Sequence, residues 1–511
     1  MKKTKSNIIL INLFYLILSF FFLIYLIGWE SLNPFNFKWL LDNDQAGELI
    51  GWLDYKNSTW KFPLGKFERG DLGETSAVFH GTIPILAIIS KFLFLKLENF
   101  QYFSFWLLLC LHLQGLISYL IIKKLTKNNL YSIIGSIFFI ISPVFIYRLG
   151  IHLSLAGHWL ILLYFWVNLI EKKNKHLLNV LIIVTAVGIH FYFAAMIYAI
   201  NFLYYFIYYF LINSKKFFFF KFIFLKTISL IFFMYLIGYF VLPPQDVIGH
   251  GFGLYKLNLL SIFDPGVASF SFGKKIIWSL FLPDIKTNYG GHEGFNYLGI
   301  GVLLIFFLSI ILYLKNYKKP HNQNHLIILI IALILFIFAI SNNVDFGTTN
   351  LISIELNKYL YGLFGLIRAS GRFFWPVNYL IVFFSLLLIF KYVKKFNILF
   401  ITLILLIQII DLSSGLKFYS FGKSYKKNEV NLSDNVWFKI NNNFKTISQT
   451  YLKNQSNEFF KIVNFLIKSK IESEIFYSAR YNRDKMVNLR YKNYKDLYLG
   501  NLNEKIYIVS S

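Results

Sequence analysis

Long uncharged apolar blocks alternate with short polar connections along the first four-fifths of the chain, and the polar connections are of two kinds. Blocks such as 8–28 and 217–242 run for about 20 residues with few charges, the length that matches the hydrocarbon thickness of a bilayer. The pattern predicts membrane-crossing helices over 8–28, 101–122, 131–147, 155–170, 177–190, 191–212, 217–242, 296–314, 326–340, 376–393 and 397–410. The apolar stretch 82–97 breaks the alternation if it crosses, so it reads as a re-entrant or interfacial helix. From Leu412 onward the chain turns to Asn, Lys, Tyr and Ser with short apolar runs. Thr446–Leu452, Glu474–Ala479 and Ile506–Val509 read as strands there. Ser456–Lys468, with Ser456 as its cap, and Arg483–Tyr498 read as helices. That β-α-β-α-β order suggests a small parallel sheet.

The first kind of connection is short and rich in lysine: Lys2/Lys3/Lys5, Lys123/Lys124/Lys127, Lys172/Lys173/Lys175, Lys215/Lys216, Lys315/Lys318/Lys319 and Lys391/Lys394/Lys395. These clusters fall at every second connection, and placing them all in the cytoplasm gives one consistent alternation. The N-terminus is then cytoplasmic, and 412–511 is an extracytoplasmic α/β domain after a transmembrane domain over 1–411. The second kind comprises the long connections 29–100, 243–295 and 341–375 and the turn Arg148–Leu155, all on the outer side. Acids, histidines and arginines concentrate there, while the inner connections carry lysine, asparagine and little else, and such loops are where chemistry concentrates.

Composition sharpens this. Of 511 residues, 57% are hydrophobic and 15% charged, and mean hydropathy is +0.56. That excludes an ordinary soluble enzyme and a disordered chain. The net charge of +26 comes largely from lysines between apolar blocks, with no basic groove interleaved with aromatics, so nucleic acid is excluded as a partner. The single cysteine, Cys110, excludes a disulfide framework and reads as a packing residue. The first apolar run is too long for a signal peptide and lacks a small-residue cleavage site, so it reads as an uncleaved helix.

Three groups carry candidate chemistry. Asp42 and Asp44 stand one residue apart after the first apolar block; such a pair suits a general base, a chelated divalent cation, or simply an Asx turn. Arg148, His152 and His158 sit at an outer interface, where Arg pairs with a ligand or snorkels to headgroups. Arg368 and Arg372, four apart, would share a helical face suited to a phosphate or diphosphate, with Phe373–Trp375 gripping an apolar chain; the alternative is an interfacial Arg/Trp anchor. His292, Glu293 and Asn296, with Asp264 in the preceding loop, are the kinds of side chain that bind sugar hydroxyls. His250, His292 and Glu293 form a weaker metal-site reading. There is no phosphate-binding Gly-rich Lys loop, no H-E-x-x-H and no nucleophile elbow.

These features together resemble the GT-C superfamily of membrane glycosyltransferases and, more closely, a bacterial family of unknown function within that class. The stretches that carry the resemblance include Asp44-Gln-Ala with Gly51-Trp52, Trp60 to Gly65, Ser142-Pro143 with Arg148-Leu-Gly150, and His158-Trp159. Further on come Gly251 to Tyr255, Phe263-Asp264-Pro265, Glu293 to Gly299 and Arg368 to Pro376. The resemblance implies an all-α polytopic fold in a bacterial inner membrane, with interfacial helices in the first outer loop. It also implies transfer of a sugar from a polyprenyl-phosphate carrier to an envelope glycan or lipid acceptor on the periplasmic side. By position the base is Asp44, with Asp42 as substitute; Arg368, Arg372 and Arg148 neutralise the lipid phosphate. His158, Asp264, His292, Glu293 and Asn296 contact sugar or acceptor. The family's aspartate is followed by Pro and later by Gln and His, where this chain has Gln45, Gly47 and Glu48. A divalent cation is a further expectation, without assigned ligands. A flippase or assembly factor for a lipid-linked glycan, or an envelope acyl- or phospho-group transferase, remains the alternative.

Overall fold

The structure, a computed structural model, describes residues 2–41, 43–169, 175–269, 274–316, 323–394, 396–419, 440, 443–469, 471–502 and 505–508. Among the described residues helices dominate, with four small sheets. Six helical segments among them are long and apolar enough to cross a membrane: Ile8–Ile27, Phe103–Thr126, Phe191–Ile212, Lys216–Ile237, Gln323–Ile340 and Ser370–Tyr392. Asn129–Ile140 and Pro143–Ile151 add a seventh if counted as one, bent by 47°. The bend follows from sequence: Pro143 opens the second helix, where its missing N–H costs nothing. The expected crossings over 155–170, 177–190, 296–314 and 397–410 correspond to helices of 11 to 16 residues. At 1.5 Å per residue these reach at most about 24 Å, short of the roughly 30 Å hydrocarbon layer. The stretch expected to lie at the interface forms helix Pro84–Phe94, 11 residues long, with Ile89, Phe92 and Leu93 exposed.

Local chemistry sets several boundaries. The His190 ring caps helix Phe191–Tyr205 by accepting from the Tyr192 N–H at 3.2 Å, which separates it from Lys175–Ile189. Gly238, at φ +97°, ends Lys216–Ile237 in the left-handed conformation that favours glycine. On that helix Phe217, Phe224 and Phe232 are exposed, as expected of a lipid-facing surface, whereas Phe219 is buried against Tyr205 and Ile223.

The C-terminal segment carries the suggested β-α-β-α-β order. Strand Thr446–Gln449 lies between Glu472–Ser473 and Lys505–Ile508, all parallel, with helices Asn457–Lys468 and Arg483–Leu499 in the crossovers. Ser456 occupies the cap position of the first helix, but its hydroxyl makes no hydrogen bond. Only the first residue of the expected strand Glu474–Ala479 still bonds to the sheet, its N–H donating to Ile447 O at 2.9 Å. Farther along, the Ala479 N–H donates to Phe79 O at 3.0 Å, in the loop before helix Pro84–Phe94. Ile447, Phe459, Ile462, Val463 and Ile475 belong to the same apolar cluster as the long helices, so this segment shares their core.

Several segments are locked together by one buried carboxylate. Asp411, at the end of helix Asn397–Asp411, accepts from the Ser279 hydroxyl, from Tyr297 Oη at 2.7 Å and from the Ile300 N–H at 2.9 Å. Asp411→Leu leaves those donors unpaired at a cost of about 1–3 kcal/mol each. Thermal unfolding in nanodiscs should show a marked loss for Asp411→Leu and a much smaller one for Asp411→Asn, which keeps an acceptor.

Candidate functional site

Asp44 lies in the first turn of helix Asn43–Asn57, where a carboxylate is favoured by the helix dipole. Gln45, its neighbour, donates from Nε2 to Gly150 O at 2.8 Å and ties this helix to the end of helix Pro143–Ile151. That brings His152, the residue just past Ile151, onto the aspartate: His152 Nε2 is 2.8 Å from Asp44 Oδ2. The other carboxylate oxygen, Oδ1, accepts from the Tyr477 hydroxyl. On its far side the His152 ring faces Glu48, with Nδ1 3.9 Å from Oε1, while Glu48 Oε2 accepts from the Leu153 N–H at 3.3 Å. Asp44, His152 and Glu48 therefore stand in file, one ring nitrogen toward each acid.

Burial alone would raise the Asp44 carboxyl, but the His152 charge and the hydrogen bonds from His152 and Tyr477 bring it below the usual carboxylate range. Burial works against the His152 cation as well, and Asp44 more than compensates, lifting the ring to about 9. Glu48, which burial pushes up to about 7, has weaker compensation. At neutral pH the file therefore holds an imidazolium beside an ionised Asp44, and Asp44 keeps 20% side-chain exposure, enough to meet a ligand.

Behind this file lies a deeper ionic cluster. Glu293, in the turn Gly291–Gly294, receives Arg372 Nη2 at 2.7 Å on Oε1 and Arg372 Nε at 3.0 Å on Oε2. Arg148 Nη2 donates to the same Oε2 at 2.9 Å. Burial would raise Glu293, but the Arg372 and Arg148 charges hold it well below the usual carboxylate range. The turns approach closely because Gly371 packs on Gly294: a Cβ on Gly371 would lie 2.7 Å from the Gly294 Cα.

The sequence expectations divide accordingly. Asp44 and Glu293 do come together with Arg148 and Arg372, but the two arginines are taken up by Glu293 and are not a free pair for phosphate. Arg368 and Arg372 do not share a helical face. Arg368 follows one 3₁₀ turn, Gly365–Ile367, and Arg372 lies in another, Ser370–Phe374, so a four-residue spacing points them apart. Arg368 lies instead over the Tyr255 ring, 5.5 Å from its centroid. Phe373, Phe374 and Trp375 are at most 5% exposed, buried in the protein core rather than facing a lipid chain. Asp264 caps a loop, accepting from the Gly266 and Ile285 N–H groups at 2.9 and 3.1 Å. His158 is a core residue, its ring tilted against Trp375 with centroids 4.3 Å apart and Nδ1 2.7 Å from Tyr379 Oη. Asn296 is fully buried and donates to Gly294 O at 3.1 Å. His292 stands edge-on to Tyr255, and burial takes its ring down to about 4. Asp42 lies outside the described residues. Among the described residues no three His, Cys, Asp or Glu side chains are grouped to hold a metal ion.

Two participants escape a reading of sequence alone. Tyr477 and Arg480 come from the C-terminal segment, more than 400 residues beyond Asp44. The available signal for Arg480 is composition: only seven of the 51 basic residues are arginine, and three of those seven are Arg148, Arg368 and Arg372.

The fold and this ionic cluster define a helical, multi-pass membrane protein with a buried acid–arginine–histidine site. Its family is shown by a family model, described as a domain of unknown function (DUF6311), that matches residues 16–413; the chain belongs to that family. Among curated proteins, none matches the chain.

Two outcomes test the electrostatics. Glu293→Ala strands two buried guanidiniums and should cost about 3–5 kcal/mol of stability, partly recovered by adding Arg372→Met. His152 has its folded value of about 9 above its ordinary 6.5, so its stabilising contribution is complete below pH 6.5 and is lost as pH rises through 9. The melting temperature of the purified protein should fall across that window, and the slope should flatten in Asp44→Asn.

Proposed function

We propose that the chain is a GT-C-like membrane glycosyltransferase that moves a sugar from a polyprenyl-phosphate carrier to an envelope glycan or lipid acceptor, with Asp44 as base. The observation that carries this reading is the state of Asp44: ionised, partly exposed, and already holding a hydroxyl, that of Tyr477, on Oδ1. An acceptor hydroxyl in that place delivers its proton to the carboxylate as its oxygen attacks the anomeric carbon. The bond from that carbon to the phosphate oxygen breaks, and the lipid phosphate leaves with the electron pair, inverting the configuration. His152 orients the carboxylate from the opposite oxygen, and the excess of guanidinium over carboxylate around the site favours a phosphate leaving group. Arg148 and Arg372 serve by fixing Glu293 and the loops that carry it.

In this reading the short apolar helices cross the bilayer together with the long ones, giving about eleven crossings in a bacterial inner membrane. The N-terminus is cytoplasmic, and the segment from 412 is an extracytoplasmic α/β domain. What supports that orientation is the lysine asymmetry between the two sets of connections.

The test uses protein in lipid nanodiscs with a panel of undecaprenyl-phosphate sugars, measuring release of the lipid phosphate. Asp44→Asn should lower the rate by about 10²–10⁴-fold while the protein still inserts and folds. A wild-type rate in that variant would remove Asp44 from the mechanism.

A further inference from the structure

The segment that follows strand Glu472–Ser473 reaches the site twice. Tyr477 packs its ring on helix Asn43–Asn57, where a Cβ on Gly47 would lie 2.5 Å from Tyr477 Cδ1, and gives its hydroxyl to Asp44. Three residues on, Arg480 is held by two backbone carbonyls, Nε donating to Val247 O at 2.6 Å and Nη1 to Ala479 O at 2.8 Å. These bonds leave Nη2 over Gly249. A Cβ there would lie 2.9 Å from Arg480 Nη2 and 3.4 Å from Arg368 Cδ, so the two arginines share one backbone wall. Arg483 closes the same loop, donating from Nη2 to Ile248 O at 3.2 Å, and is 4.0 Å from Asp246.

Among the described residues neither Arg368 nor Arg480 has a carboxylate within ion-pair distance. The contrast with the deeper cluster is informative. Arg148 and Arg372 converge on Glu293, whereas Arg368 and Arg480 meet no carboxylate among the described residues. Adjacent guanidiniums repel, and a protein that holds them together at a partly buried site leaves a place for an anion with several acceptor oxygens. The electrostatic cost registers on Arg480, which burial and then the Arg368 charge bring down to about 10.

We propose that Arg368 and Arg480 form a composite phosphate-binding site, half from the family-matched region and half from the C-terminal segment. The ligand class is a phosphate monoester or diphosphate, whether the headgroup of a lipid or a free phosphate. The inference rests on the glycosyl-transfer reading only in identifying the lipid form with the donor; the anion site itself follows from the two arginines. It relocates the phosphate contact from Arg148 and Arg372, and it gives residues beyond 413 a part in ligand binding.

Binding is measured on full-length protein in nanodiscs with two probes, inorganic phosphate and undecaprenyl phosphate. The variants are Arg368→Gln, Arg480→Gln, Arg480→Lys and the surface control Lys492→Gln. Loss of a charged hydrogen-bonding partner should weaken binding by roughly ten- to a hundred-fold in each Gln variant, and less in Arg480→Lys. Lys492→Gln should bind as wild type. Tighter binding of undecaprenyl phosphate assigns the site to a lipid headgroup; equal binding of both probes assigns it to the phosphate alone. An absence of sugar transfer by wild type in every assay, with a probe still bound, would overturn the glycosyl-transfer reading and leave this site standing. Wild-type affinity in a folded Arg480→Gln, or no binding of either probe by wild type, would overturn the composite site.

Discussion

Glu293 is the group on which the site depends. One carboxylate takes three hydrogen bonds from two guanidiniums, and the donors come from helix Pro143–Ile151 and from the turn Ser370–Phe374. Burying any one of these charges alone would be prohibitive; together they are tolerable because geometry and hydrogen bonding repay desolvation. The bidentate contact from Arg372 needs a planar fork, which lysine lacks. Since Glu293 lies in a turn of its own, Gly291–Gly294, the cluster fixes one helix end and two turns relative to one another. It thereby sets where His152, four residues past Arg148, meets Asp44.

The C-terminal segment joins this frame by specific contacts rather than as a separate body. Gly47 is the enabling residue on the helix side, because any Cβ there would collide with the Tyr477 ring. Tyr477 is itself shaped by Asp44: burial and then the neighbouring carboxylate raise its phenol, so it remains a hydrogen-bond donor throughout the physiological range. The same segment leaves its sheet after Glu474, which is why a sequence alternating like a strand is mostly not one. The backbone bonds of its far end go to Phe79 O and to the Asn454 side chain instead.

The sequence made the apolar helices legible because hydrophobic length is a local property, and lysine clusters marked their connections. Helix length was less legible, since a run such as 296–314 reads the same whether helix starts at 296 or, as observed, at Ile300 after Gly299. Asp44, Glu293, Arg148 and Arg372 were visible as polar groups out of place among apolar ones. Their pairing was not, because it depends on contacts such as Arg148 to Glu293 across 145 positions. His152 and His158 both stood out as interfacial histidines, and the ligand contact was assigned to His158 while His152 does the pairing. The two lie six apart, and only the helix end at Ile151 decides which one faces the acid.

In a chain that supplies lysine at almost every basic position, an arginine marks a place where a point charge on a flexible stem does not suffice. Arg148 and Arg372 meet that description through Glu293, and Arg69 does so through Asp54 at 3.1 Å. Arg480 and Arg483 hold the backbone of Val247 and Ile248 through directed N–H groups, a geometry that an ammonium would satisfy poorly. Arg368 alone among these has neither a carboxylate nor a carbonyl partner among the described residues, only the face of Tyr255. A planar fork kept at such a position, beside a second one whose Nη2 is also left over, fits recognition of several oxygens on one group better than it fits packing.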